Sequence, residues 1–136
     1  MTTTTTSRLA IPESHSEFFA APNTAVLTTV GKDGVRQSTA VWYLVDEGVL
    51  KTSILTSRQK FKNLSSHPKA SLFVLDPTNP YRSVEVRAAV ELTPDPDKTL
   101  LPKFAEHYGV PLEALEAAGD DRVIATFNPV RVVTNG

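Results

Sequence analysis

Residues 25–55 hold three β-type runs in succession with only turns between them. AVLTTV (25–30), VRQSTAVWYLV (35–45) and VLKTSIL (49–55) are apolar and β-branched, and GKDG (31–34) and Asp46-Glu47-Gly48 separate them. A parallel pair of strands needs a crossover of roughly a dozen residues or more, usually a helix. No such segment is available here. Runs joined by tight turns form an antiparallel meander instead.

The rest of the chain extends that pattern. Residues 58–66 read as a short helix, with Ser57 as the expected N-cap and His67-Pro68 as the stop. ASLFVL (70–75) reads as a buried strand, and DPTNPY (76–81), with two prolines in six residues, as a loop. In SVEVRAAVEL (83–92), Val84, Val86, Ala88, Val90 and Leu92 share one face, while Glu85, Arg87 and Glu91 take the other. Leu100, Leu101, Phe104, Ala105 and Tyr108 have helical spacing within residues 97–118. Pro102 and Gly109-Val110-Pro111 are expected to break that run. RVIATFNPVRVV (122–133) is a last strand, interrupted near Pro129. Upstream, residues 13–20 form a short helical stretch with Phe18 and Phe19, and residues 1–12, opening MTTTTTSR, are expected to be a disordered tail. The expected fold is mainly β (α+β). It is a single domain, 13–136, of about six antiparallel strands closed or nearly closed into a barrel with short connecting helices.

Composition narrows the chemistry. A chain of 136 residues, 40% apolar, suits one domain with one core. A formal net charge of −1 gives no whole-molecule attraction to nucleic acid or anionic lipid, so neither is an expected partner. There is no cysteine, which removes thiol catalysis, disulfides and thiolate-held metal. The N-terminus has neither the basic nor the apolar region of a signal peptide. No apolar run approaches the roughly 20 residues of a membrane span. A cytoplasmic setting is expected. His15, His67 and His107 lie in different elements without metal-ligand spacing and are expected to be surface or capping residues, so no metal site is expected. Glu113/Glu116 and Asp120/Asp121 read as solvated faces. No GxGxxG and no GxxxxGK[ST] is present. No side chain stands out as a catalytic acid, base or nucleophile.

One segment carries charge of the wrong sign. SRQKFKNL (57–64) puts Arg58 and Lys60 at the start of a helix, where the macrodipole is already positive. Each cation opposes the dipole by about 0.3–1 kcal/mol when nothing is bound. No acidic residue occurs between Glu47 and Asp76, an interval holding Lys51, Arg58, Lys60, Lys62 and Lys69. One reading is a solvated basic helix packed down by Phe61 and Leu64. The other is an anion site, in which a phosphate accepts free helix N–H groups, a bidentate Arg and a Lys together, with Ser53 and Ser57 as hydroxyl donors. The lack of any compensating acid favours the second.

Taken in order, GKDGVRQSTAVWY, TSILTSRQKFKNL, HPKASLFVL and SVEVRAAVEL resemble the pyridoxamine 5′-phosphate oxidase-like split β-barrel family. The likeness is to its actinobacterial flavin/deazaflavin oxidoreductase branch, which uses coenzyme F-420, and it covers about residues 18–134. The resemblance implies an FMN-binding type of split barrel and a homodimer with the cofactor in a groove between subunits. It implies that Arg58, Lys60 and Ser53 hold the cofactor phosphate. The ring would lie along Ser38, Thr39, Ala40 and Val41, with Trp42 and Tyr81 as candidates for the substrate side. Trp42 and Tyr43 also suit interior packing or a dimer contact. The implied activity is hydride transfer between reduced deazaflavin and an electron-poor conjugated small molecule, with the chemistry carried by the cofactor. FMN in place of F-420, as in the oxidases themselves, and a non-catalytic cofactor-binding module are the alternatives.

Overall fold

The structure is a computed structural model that describes residues 10–116 and 121–136. Most of the expected tail and Asp120 lie outside those residues. Ile11, at the end of the expected tail, packs against the core.

The elements run in the order β1 (Thr24–Val30), β2 (Arg36–Trp42), β3 (Leu44–Asp46), β4 (Val49–Leu55), α2 (Gln59–Ser66), β5 (Lys69–Asp76), β6 (Asn79–Pro94), α3 (Leu101–Tyr108), α4 (Leu112–Glu116) and β7 (Arg122–Asn135), after a 3₁₀ turn at Glu13–His15 and a short α1 (Glu17–Ala20). All strand pairs are antiparallel, in the sheet order β2-β1-β5-β6-β7-β4-β3.

That order explains the closure. β2 and β3 are opposite edges of the sheet, yet Tyr43 alone separates them in the chain. A segment that belongs to both edges forces the edges together, and the seven-stranded sheet curls into a split barrel. The run expected as one strand, 35–45, is therefore two. Tyr43, fully buried, is where the chain leaves β1 as its partner and takes up β4. The sheet has seven strands rather than about six for this reason.

The alternation expected in β6 is present. Val84, Val86, Ala88 and Val90 are buried and join Leu27, Leu50, Leu72, Val74, Ala125 and Phe127 in the barrel interior. Each such large side chain stabilises the fold by about 1.5–3 kcal/mol through burial. Pro129 sits at a bulge, since Arg87 faces Arg131 and Ala88 faces Pro129, leaving Val130 unpaired and exposed. A residue without an N–H fits there at no cost to the ladder.

Several expectations need correction. Residues 76–81 are not a six-residue loop. Asp76 faces Asn79, so β5 and β6 turn through Pro77-Thr78, and the Asp76 carboxylate accepts the Thr78 N–H at 2.9 Å. Pro102 does not break a helix. It stands in the first turn of α3, where the N–H has no helical partner to lose. The break comes at Gly109, in the left-handed region at φ 65° that glycine adopts without strain. His15 is no surface residue. It is buried, stacked on Phe18, with Nε2 donating to the Asn135 carbonyl at 2.9 Å and Nδ1 on Ser14 Oγ at 2.8 Å. Among the described residues no helix is long and apolar enough to cross a membrane, and no group of His, Asp and Glu is placed to hold a metal.

Candidate functional site

A groove of about 570 Å³ opens where the edge strands meet, between β2, β4, the start of α2 and the α3–α4 pair. It is within the range of small-molecule and cofactor sites. Each wall follows from local sequence. The β2 wall is Gln37 and Thr39 to Trp42, and Thr52 Oγ1 of β4 donates to the Trp42 carbonyl at 2.6 Å, tying β2 to β4 where no ladder joins them. Leu101, Phe104 and Leu115 supply an apolar wall from α3 and α4. Asp95 sets the start of α3 by accepting the N–H groups of Thr99 and Leu100 and the Thr99 hydroxyl.

The basic end is built by α2. The helix begins at Gln59, with Arg58 in extended conformation at the N-cap position and no side-chain cap. Ser57 is thus not the N-cap. The turn in which the Arg58 N–H meets the Leu55 carbonyl puts Arg58 there instead. Lys60 follows in the first turn, half-buried, its Nζ donating to Thr39 Oγ1 at 3.3 Å. Desolvation, then the charge of Arg58, holds the Lys60 ammonium below its ordinary pKa. Behind these residues Asn63 is buried. It accepts from Gln59 Nε2 at 2.9 Å and donates to Thr29 Oγ1 at 3.0 Å, pinning α2 to β1.

Ser53, Ser57, Arg58, Lys60, Thr39, Ala40 and Val41 are brought together in this groove, with Trp42. Ser38 is not among its lining residues. Its Oγ lies 2.8 Å from Thr28 Oγ1 on the outer face of the sheet. Tyr81 is not there either, being exposed at the β5–β6 hairpin. Trp42 is half-buried and stacks on Tyr108 with ring centroids 4.1 Å apart and planes 5° apart, while Tyr43 is interior packing.

Sequence reasoning missed Arg122. It lines the groove from the first position of β7, with Nη1 donating to Ser53 Oγ at 3.2 Å. Burial, then Arg58, pushes its pKa down. Among the described residues no carboxylate lines the groove that Lys60, Arg58 and Arg122 share, and the acid whose charge favours Arg122 is Asp95, outside that lining. Lys60 and Arg122 are half-buried and Arg58 is exposed beside them, so each raises the others' cost of charge, and an anion joining them relieves it. The residues present therefore fit a ligand with a phosphate at one end and a flat apolar body.

The pyridoxamine 5′-phosphate oxidase family model matches residues 11–135, and the chain belongs to this family. A solved structure described as an F-420 reductase is 36% identical, covering 90% of this chain and 98% of its own, with a TM-score of 0.81. A conserved hypothetical protein from Mycobacterium tuberculosis is 22% identical over 98% of this chain and 89% of its own, with a TM-score of 0.76. The heme storage protein of Vibrio cholerae is 16% identical over 94% and 96%, with a TM-score of 0.74. These last two likenesses concern the fold alone. No curated protein matches the chain.

Proposed function

We propose that this chain is a cytoplasmic, coenzyme F-420-dependent oxidoreductase. It passes a hydride between reduced deazaflavin and an electron-poor conjugated small molecule, as a homodimer with the cofactor in the groove at the subunit interface. The observation that carries this reading is the grouping of Lys60, Arg58 and Arg122, with no acid among the described lining residues, in a groove also lined by Trp42, Leu101, Phe104 and Leu115. The 36% identical F-420 reductase supports deazaflavin as the ring. When bound, the cofactor supplies the hydride chemistry.

The residues of the chain bind and orient. Arg58 and Lys60 meet the phosphate with charge-assisted hydrogen bonds, and Ser53 adds a hydroxyl. Thr39, Ala40 and Val41 offer a flat strand surface to the ring, and Trp42, held by Tyr108, limits the substrate side. Leu101, Phe104 and Leu115 exclude water. Tyr81 has no place in this arrangement within one chain. A second groove, lined by Lys32, Arg36 and Lys62 against the one acid Asp33, adjoins the first through the shared residues Gln37 and Gln59, and its excess of cations suits an anionic extension beyond the phosphate. Lys51 does not serve there, because it is paired with Asp46 at 3.2 Å.

Reduced F-420, regenerated by an F-420-dependent glucose-6-phosphate dehydrogenase, is expected to support turnover of a conjugated acceptor, followed by return of the oxidised deazaflavin absorbance. NADH or NADPH alone is expected to do nothing, since the chain has no dinucleotide fingerprint. The phosphate cradle itself suits FMN equally. Tight FMN binding with no F-420 binding establishes an FMN flavoprotein instead, and F-420 binding without multiple turnover establishes a carrier.

A further inference from the structure

The Ser53 hydroxyl assigned above to a phosphate already has a neighbour that is positively charged. Arg122 reaches it through Nη1, and its Nη2 donates to the Leu115 carbonyl at 3.3 Å. Its third nitrogen, Nε, is shut off from water and has no partner. A guanidinium has five N–H donors in a fixed fork, and here, among the described residues, two neutral oxygens and no carboxylate answer them. The acid whose charge favours Arg122 is Asp95, and that carboxylate is committed to the Thr99 and Leu100 N–H groups. The positive neighbour is Arg58, whose charge also acts on Lys60. Arg58 thus stands within electrostatic range of both other cations.

A purely structural clip between β4 and α4 would gain little from a charged residue so placed. A neutral amide makes the same two hydrogen bonds without desolvating a cation beside another. We infer that Arg122 is a third arm of an anion clamp, closing with Arg58 and Lys60 on a phosphate group that reaches Ser53. This rests on the phosphate reading of the groove. In the free chain the arm is parked on Ser53 and Leu115. With a phosphate present its fork turns to the anion's oxygens, and the Leu115 carbonyl, at the end of the wall formed by α4, is released from it.

The test needs no turnover. Trp42 is the chain's single tryptophan and lines the groove, so its fluorescence reports occupancy. FMN is titrated against riboflavin, and F-420 against its phosphate-free deazaflavin core, into wild type, Arg122→Gln, Arg122→Lys and Lys60→Ala. Arg122→Gln is expected to weaken the phosphate-bearing ligands about ten- to a hundredfold and leave the phosphate-free ones unchanged. Its melting temperature without ligand should equal or exceed that of wild type, and Arg122→Lys should recover part of the affinity. Equal loss for both ligand types, or wild-type affinity for the phosphate-bearing ones in Arg122→Gln, overturns the inference. If Lys60→Ala loses phosphate affinity and Arg122→Gln does not, the third arm alone is wrong and the groove reading stands. If wild type gains nothing from the phosphate, both fall.

Discussion

The Tyr108 hydroxyl stands in for a strand at Tyr43. It accepts the Tyr43 N–H at 3.0 Å, and its single proton serves the carbonyls of Asn23 (2.7 Å) and Tyr43 (2.9 Å). Tyr43 is where the chain crosses from one edge of the sheet to the other, so its backbone groups have no ladder partner at a fully buried position. An unpaired buried N–H costs about 1–3 kcal/mol. Tyr108→Phe is therefore expected to lower unfolding free energy by that amount, measured in urea. Because the ring remains to stack on Trp42, quenching of Trp42 by bound cofactor should persist.

The same pair sets an alkaline limit on stability. Burial, the largest cause for each, raises the pKa of both Tyr43 and Tyr108 in the fold. Below the ordinary phenol pKa of about 10, both states keep the protons and nothing changes. Above it the unfolded chain loses protons that the folded chain retains, so stability falls as pH rises. Lys60 acts in the opposite sense. Its folded pKa is depressed, so the folded chain sheds that proton first and stability gains over the same range. Lys103, its pKa raised by the Asp46 hydrogen bond, acts with the two phenols against Lys60, so urea midpoints should fall as pH rises past about 10. Tyr108→Phe should show a shallower fall and Lys60→Met a steeper one. A midpoint that rises with pH would refute the assignment.

What the sequence made legible was local. Alternation in 83–92, the turns at 31–34 and 46–48, the stop at His67 and the disturbance at Pro129 all come from neighbours in the chain, and the structure has each of them. The Arg58 and Lys60 signal was local too, since it is a conflict between charge and helix direction. The rest depended on long-range register. Arg122 enters the groove because β4 and β7 pair with Leu55 opposite Arg122 and Ser53 opposite Ile124, and nothing near residue 122 encodes that partner. A period of two gives the faces of a strand but not the residue where it changes partners, so Tyr43 passed as mid-strand. The same limit hid that Ser38 shares the outer face with Thr28 while Thr39 is drawn toward Lys60.

The outer face of β1 and β5 bears on the proposed dimer. Val26 faces Phe73 across the strands, both partly exposed, with Leu75 next to them on the same face. Phe73→Lys places its charge opposite Glu85, its cross-strand neighbour on β6, so the single chain should keep its fold. An obligate interface exceeding about 2,000 Å² is not expected to tolerate a buried ammonium. Light scattering should show wild type as a dimer and the variant shifted to monomer with weakened cofactor binding. A wild-type monomer at micromolar concentration with cofactor bound would refute the dimer.

Arg58→Ala and Lys60→Ala test the basic end of the groove directly. Arg58 caps α2 without a side-chain bond of its own to the helix, and Lys60 holds only a long contact to Thr39. Neither side chain is needed to pin α2, because Asn63 does that through Gln59 and Thr29. The free proteins should fold as wild type does and gain up to about 1 kcal/mol each, since a cation leaves a helix N-terminus that has no acid in its first turn. Loss of one charge-assisted contact to a phosphate should weaken F-420 or FMN binding by about 1.5–3 kcal/mol, or about ten- to a hundredfold. Removing both should cost less than the sum, because Arg58 and Lys60 raise each other's cost of charge and relief of that repulsion is counted once. Calorimetric titration of the two single variants and the double variant gives that coupling. Wild-type affinity in both single variants would mean that SRQKFKNL is a solvated basic helix and no phosphate site.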